Sequence, residues 1–242
     1  MKINSVRNPK SPARAGAPKI QNQKLSLFVL FLVCSAFPGL QSYGATPAQG
    51  AEGPARLTFT KVLEGSTPEF EEITVDVNGA GAYDGRKLSD PPSPRMMKLS
   101  AATTQRVFAL AHAMDDFKSI DLESHKNVAN LGRKTFIYQE DGRTNRAEFN
   151  YSQRHDAQDL ADLFEKIGSV EEHIKTLEYS AKYDHLNLPR ELLQIQIDLN
   201  NKALADPELM APVLRQIARN SHFLHLAQVR AQDILQRIGE ND

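Results

Sequence analysis

The sequence predicts an α+β fold, an antiparallel sheet built from two strand–strand–helix units with both helices on one face, followed by an α-helical C-terminal tail. Three observations predict it. Asp141-Gly142 lies between two segments rich in β-formers, the strongest short hairpin signal because a type I′ turn needs positive φ at both central residues. An earlier stretch repeats the order strand, strand, helix at the level of pattern. After Ser169 the spacing of apolar residues turns helical.

Residues 1–44 read as a signal peptide. Lys2, Arg7, Lys10, Arg14, Lys19 and Lys24 make a basic leader without a single acid. Leu25 to Phe37 follows as 13 almost wholly apolar residues, too few for a helix to cross a bilayer's hydrocarbon core, which takes about 20. Pro38-Gly39 breaks that helix, and small residues at Ser42 and Gly44 suit cleavage after Gly44. The leader is longer than usual, which leaves an uncleaved anchor as the alternative. Cys34, the single cysteine, follows Val33 rather than the small residue a lipidated Cys needs, and so reads as part of the apolar core. The mature chain then has no cysteine, and its stability must come from an ordinary core. Removing the six leader cations from 29 basic residues leaves 23 against 30 acidic ones, a formal charge of −7. An acidic chain is a poor general nucleic-acid binder, because that binding rests on neutralising phosphates.

Residues 45–54 are rich in Pro, Gly and Ala and read as a linker. Residues 55–168 form the α+β domain. Leu57 to Leu63 predicts a first strand. Ile73, Val75 and Val77 alternate with polar residues as a second, and Asn78-Gly79-Ala80 reads as a three-residue loop that sets Val75 opposite Tyr83. Asp84-Gly85 reads as a turn, and Leu88 to Pro94, with three prolines, as an irregular loop. Ser100 caps a helix whose apolar stripe is Thr104, Val107, Phe108, Ala111 and Met114, with Leu110 adjoining and Phe117 beyond. The hairpin then pairs Glu140 with Arg143, Tyr138 with Asn145, Phe136 with Ala147 and Lys134 with Phe149. One face is dry (Phe136, Tyr138, Ala147, Phe149, Tyr151) and the other wet, so the register is strongly specified. Asp156 reads as a helix cap, Ala157, Leu160, Ala161, Phe164 and Ile167 as the stripe that covers the dry face, and Gly168 as the stop.

The stretches ITVDVNGAGAYDGR, LSAATTQRVFALAHAMDDF, KTFIYQEDGRTNRAEFNY and DLADLFEKIG resemble, in this order, a class of small exported bacterial domains of unknown function. The resemblance covers about residues 57–167. It implies an α+β fold and an envelope location, and it carries over no activity and no functional residues.

Residues 169–242 read as the helical tail. Ser169-Val170-Glu171-Glu172 has the form of a capping box, Pro189 opens a second helix that runs through Leu192–Leu199, Asp206-Pro207 starts a third, and Ser221 starts the last, which Gly239 ends.

The chemistry-bearing residues assemble into no site. His222-x-x-His225 could share a helix face, but zinc needs three or four ligands and nothing nearby completes the pair. His112 and Asp116 read as a solvated pair. Glu71-Glu72, Asp115-Asp116 and Glu171-Glu172 are neighbours that face different ways. Arg133, Lys134, Arg143 and Arg146 are interleaved with acids and read as a mixed solvated face. No nucleophile elbow, phosphate loop, dinucleotide fingerprint or His-Glu-x-x-His is present. No residue is therefore assigned a catalytic, cofactor-binding or metal-binding role, and a non-enzyme is favoured. The expectation is an exported, periplasmic or extracellular module. It would bind a protein or envelope component, take no nucleic acid, and keep no stable membrane span once the leader is removed. The alternative is an envelope hydrolase with an unrecognised site.

Overall fold

The computed structural model describes residues 53–239. The expected signal peptide and most of the expected linker lie outside the described residues. Six antiparallel strands form one sheet: β1 (Arg56–Val62), β2 (Phe70–Asp76), β3 (Ala80–Arg86), β4 (Arg95–Lys98), β5 (Arg133–Glu140) and β6 (Arg143–Phe149), in the order β4-β3-β2-β1-β5-β6. The two units meet where β1 pairs with β5, Phe59 opposite Phe136. Five helices follow the chain: α1 (Ala101–His112), α2 (His155–Tyr183), α3 (Leu188–Asn200), α4 (Ala211–Arg219) and α5 (His225–Arg237).

The β5–β6 hairpin has the expected register, Glu140 against Arg143 through Lys134 against Phe149. Asp141 and Gly142 both have positive φ, 48° and 74°, as the turn requires. Leu57, Phe59, Ile73, Val75, Phe136, Tyr138 and Phe149 fall on one sheet face and bury themselves under Val107, Phe108 and Ala111 of α1 and Leu160, Phe164 and Ile167 of α2. Phe59 stacks on Phe164 at 5.1 Å between ring centroids. Ser100 caps α1, its hydroxyl accepting from the Thr103 N–H at 3.1 Å.

Several local expectations give way to tertiary contacts. Val75 lies opposite Gly81, and Tyr83 opposite Ile73. The turn is drawn one residue earlier because Asp76 Oδ1 accepts the N–H groups of Asn78 and Ala80, at 2.8 and 3.0 Å, which pulls Ala80 into the strand. Asp84-Gly85 makes no turn but lies inside β3, because pairing with Glu72 and Glu71 of β2 holds it extended. The proline-rich loop delivers β4, a short edge strand the sequence does not announce. Asp156 lies in the first turn of α2, not at the cap position, which Arg154 holds without a side-chain capping bond; the Asp156 carboxylate pairs with Arg154 at 3.6 Å.

The largest correction concerns Gly168 and Ser169. The helix does not stop there; α2 runs unbroken for 29 residues. Glycine in a helix interior costs about 1 kcal/mol relative to Ala, and packing on both sides offsets it, because the buried stripe continues from Ile167 through Val170, Ile174 and Leu177. Ser169 is no cap; its hydroxyl donates back to the Glu165 carbonyl at 2.9 Å, the usual fate of a mid-helix serine. The hydrophobic core does divide near this point. Ile167 belongs to the sheet core, whereas Val170 begins a second core with Leu188, Leu192, Leu214, Ile217, Ala231 and Ile234. One helix thus serves two cores.

In the tail, Leu192–Leu199 is helical as expected, within α3. Asp206-Pro207 opens a short 3-10 turn (Pro207–Met210) that leads into α4. The last helix begins at His225, not Ser221, and Gly239 follows its end with φ 82°. Among the described residues no helix is long and apolar enough to cross a membrane.

Candidate functional site

Where α2 passes over β2 and β3, two residues without side chains let the backbones approach. An ideal Cβ on Gly168 would stand 1.7 Å from Glu71 Oε1, and one on Gly85 would stand 2.2 Å from the Tyr83 hydroxyl and 2.4 Å from Glu172 Oε1. The space they leave is filled by Tyr83 and acids. Tyr83 donates its hydroxyl proton to Glu172 Oε1 at 2.9 Å. Lys175 Nζ donates to the same oxygen at 3.2 Å and to the Gly85 carbonyl at 2.8 Å. Lys61 pairs with Glu165 at 3.0 Å.

Two clefts flank Tyr83. One, of about 260 Å³, is lined by Lys61, Glu71, Glu165, Gly168 and Glu172 among others. The other, of about 210 Å³, is lined by Tyr83, Gly85, Ser93, Arg95, Glu171 and Lys175. Burial pushes the Glu71 carboxyl up to about 7, with Lys61 opposing and Glu165 and Glu172 reinforcing the shift. Burial also raises Glu171, against the pull of Arg95. The Tyr83 hydroxyl is driven far above the usual phenol range by burial and by the Glu71 and Glu172 charges, so it stays a donor. Tyr83, two carboxyls that tend to hold protons and several fixed cations form a site able to bind polar groups or to exchange a proton.

The sequence separates these residues. Glu71 and Glu72 do face opposite ways on β2. Glu171 and Glu172, although neighbours, both reach the Tyr83 region. Tyr83 and Arg95 carry no motif. The signal that could have found the site is a Gly inside a strand pattern and another inside a helical one, which marks close backbone approach.

The other candidates scatter. His222 lies in the α4–α5 loop and His225 at the first position of α5, so the two do not share a helix face. Asp116 lies beyond the end of α1, with its Oδ1 2.6 Å from His112 Nδ1, and both side chains reach solvent. Lys134 leaves the basic group altogether. Its side chain points to the covered face, donating to the Leu131 and Asn150 carbonyls. Arg133, Arg143 and Arg146 stay on the surface among Glu140 and Glu148. Among the described residues no group of three His, Cys, Asp or Glu side chains could hold a metal ion.

A second surface differs in character. At the far end of α2, Tyr179 and Tyr183 are exposed with rings 5.2 Å apart. Leu186, 78% exposed, follows. His185 meets Phe223 edge-on at 4.9 Å, which brings the α2–α3 turn against the α4–α5 loop; Leu224 at the end of that loop and Leu226 in the first turn of α5 are exposed. Polar bonds cross the α3–α5 seam, Arg230 to the Pro189 carbonyl and Gln196 to Asp233. Exposed Leu193 lies at helical spacing with Pro189 and Gln196 on that face of α3.

No protein-family model, curated protein or solved structure matches this chain.

Proposed function

We propose that this protein is an exported cell-envelope module that binds another envelope protein through the exposed end of its helical part. The observation that carries the reading is the run of exposed Tyr179, Tyr183, Leu186, Leu224 and Leu226, joined through the His185–Phe223 contact. Exposed apolar side chains gathered in one place mark interaction surfaces, and aromatic groups are enriched at them. The export half of the proposal rests on the sequence of residues 1–44 and on the resemblance to exported domains. Intact mass of the protein recovered from the envelope tests it, and a mass that retains Leu25 to Phe37 argues against cleavage.

The partner claim is tested by affinity capture from envelope extract with the wild-type chain and a Leu186→Glu/Leu224→Glu variant. Both positions are exposed, so the melting temperature should hold while a captured protein is lost. Equal capture by the two chains argues against this surface. A concentration-dependent dimer in light scattering would assign it to a second copy instead.

A second reading, an envelope hydrolase, has one observation in its favour. Glu71 keeps its proton to about 7, beside Glu172, which accepts from Tyr83 and Lys175. Carboxyls in unlike environments are how acid–base pairs divide their roles. Loss of a hydrolytic activity in Glu71→Gln, with capture intact, would favour it.

A further inference from the structure

One row of residues crosses the covered face of the sheet. Gly85, Glu71, Lys61, Lys134 and Phe149 stand opposite one another in turn, on β3, β2, β1, β5 and β6. Directly opposite residues have Cβ atoms about 5 Å apart and interact. Glu71 therefore has Lys61 as its neighbour, yet Lys61 turns to Glu165 of α2, at 3.0 Å. Lys134 Nζ lies 4.0 Å from the same Glu165 oxygen and donates to the Leu131 and Asn150 carbonyls. One helix carboxylate thus serves two lysines. Glu71, half-buried, forms no ion pair or hydrogen bond among the described residues, and its Oε1 sits in the notch at Gly168.

The same four side chains have a second arrangement, in which each charge has its own partner: Glu71 with Lys61, and Glu165 with Lys134. A neutral Glu71 needs no cation and suits the notch. An ionised Glu71 does not, because burial and the Glu165 and Glu172 charges all oppose it there. The other titratable groups that face it give no relief. Tyr83 and Lys175 are both held by Glu172, and Lys175 also by the Gly85 carbonyl. We propose that this row is a proton-operated switch: with its proton Glu71 rests on Gly168 while Glu165 holds Lys61, and on releasing that proton to water Glu71 swings to Lys61 while Glu165 passes to Lys134. Burial that holds the Glu71 carboxyl up to about 7 sets the change near neutrality. Glu71 and Lys61 both line the cleft of about 260 Å³. Below neutrality that cleft faces a neutral carboxyl, and above it an ion pair lies across the opening. The switch needs no reaction at Glu71 and lies apart from the apolar helical surface, so it stands independently of both functional readings.

The movement is read directly by nuclear Overhauser effects in the full chain between pH 5 and pH 9. At pH 5 the Glu71 γ protons should lie close to the Gly168 α protons. At pH 9 that effect should be lost and replaced by one to the Lys61 ε protons, with the same midpoint as the Glu71 carboxyl carbon. Glu71→Gln cannot ionise, so its side chain should stay against Gly168 at both pH values. Lys134→Met removes the second partner of Glu165, keeps Lys61 occupied and should raise the midpoint. A Glu71 that titrates while keeping its contact with Gly168 ionises in place and overturns the switch. So does a Glu71 that does not titrate in this range, a contact that is lost with pH in Glu71→Gln as well, or a midpoint that Lys134→Met leaves unmoved. The wild-type readout alone decides the first two outcomes, whether or not the variants fold.

Discussion

The Glu71 carboxylate occupies the place a side chain at Gly168 would take; an ideal Cβ there would lie 1.7 Å from Glu71 Oε1. The contact joins the start of β2 to the middle of α2, 97 positions away in the chain. It explains why a glycine sits in a helix interior and why the half-buried carboxyl is held above its ordinary range. Gly168→Ala should gain about 1 kcal/mol of helix propensity. It should also push the Glu71 carboxylate, the mobile end of its side chain, into the adjoining cleft of about 260 Å³. Carboxyl carbon NMR titration should then find Glu71 ionising near the ordinary Glu value. A Glu71 that still titrates near 7 in the variant would contradict this packing account.

Stability should decline as pH rises toward neutrality. Unfolded, Glu71 loses its proton near 4.5; folded, near 7. Between those values the folded state holds the extra proton, so its contribution is complete below 4.5 and lost as pH climbs through 7. Glu171 acts with the same sign. The slope should approach about 1.4 kcal/mol per pH unit per such group. Glu71→Gln should flatten part of it, as seen in urea melts at pH 5, 6, 7 and 8. Parallel curves for the two chains would show that burial does not raise Glu71.

The two faces of the β5–β6 hairpin should respond differently. Phe149 is 4% exposed and its ring lies 5.3 Å from that of Phe136. Phe149→Ala should cost about 3–5 kcal/mol. Arg146 lies on the wet face and bonds Glu148 at 2.6 Å. Exposed pairs of this kind contribute little, so Arg146→Ala should stay within about 0.5 kcal/mol. Equal shifts in a urea melt would contradict the register.

Asp206 ties the tail to the sheet half. Its carboxylate accepts the Ser100 N–H at 2.6 Å and the Ser100 hydroxyl at 2.8 Å, and it also takes the Thr103 hydroxyl. The start of α1 is thus capped from 106 positions downstream. Asp206→Ala should cost about 1–2 kcal/mol, as loss of a charged cap does. Hydrogen exchange should quicken at Ser100–Thr104. Unchanged protection there would show that Ser100 caps the helix alone.

Short-range rules decided what short-range physics controls. Asp141-Gly142 and the alternation around it determined the hairpin register, because a one-residue slip would turn Phe149 and Phe136 to water. Ser100 and the spacing from Thr104 to Met114 determined α1 and its buried face. The same rules misread Gly168, since a glycine that ends a helix and a glycine that admits a neighbour look alike until the neighbour is known. Only the tertiary structure could set Glu71 on that glycine. Only it could bring Tyr83 to Glu172 across 89 positions and leave Glu171 buried at the edge of a cleft. Those are encounters between distant segments, and the free energy that drives them comes from burying the two cores rather than from any preference written in the residues themselves.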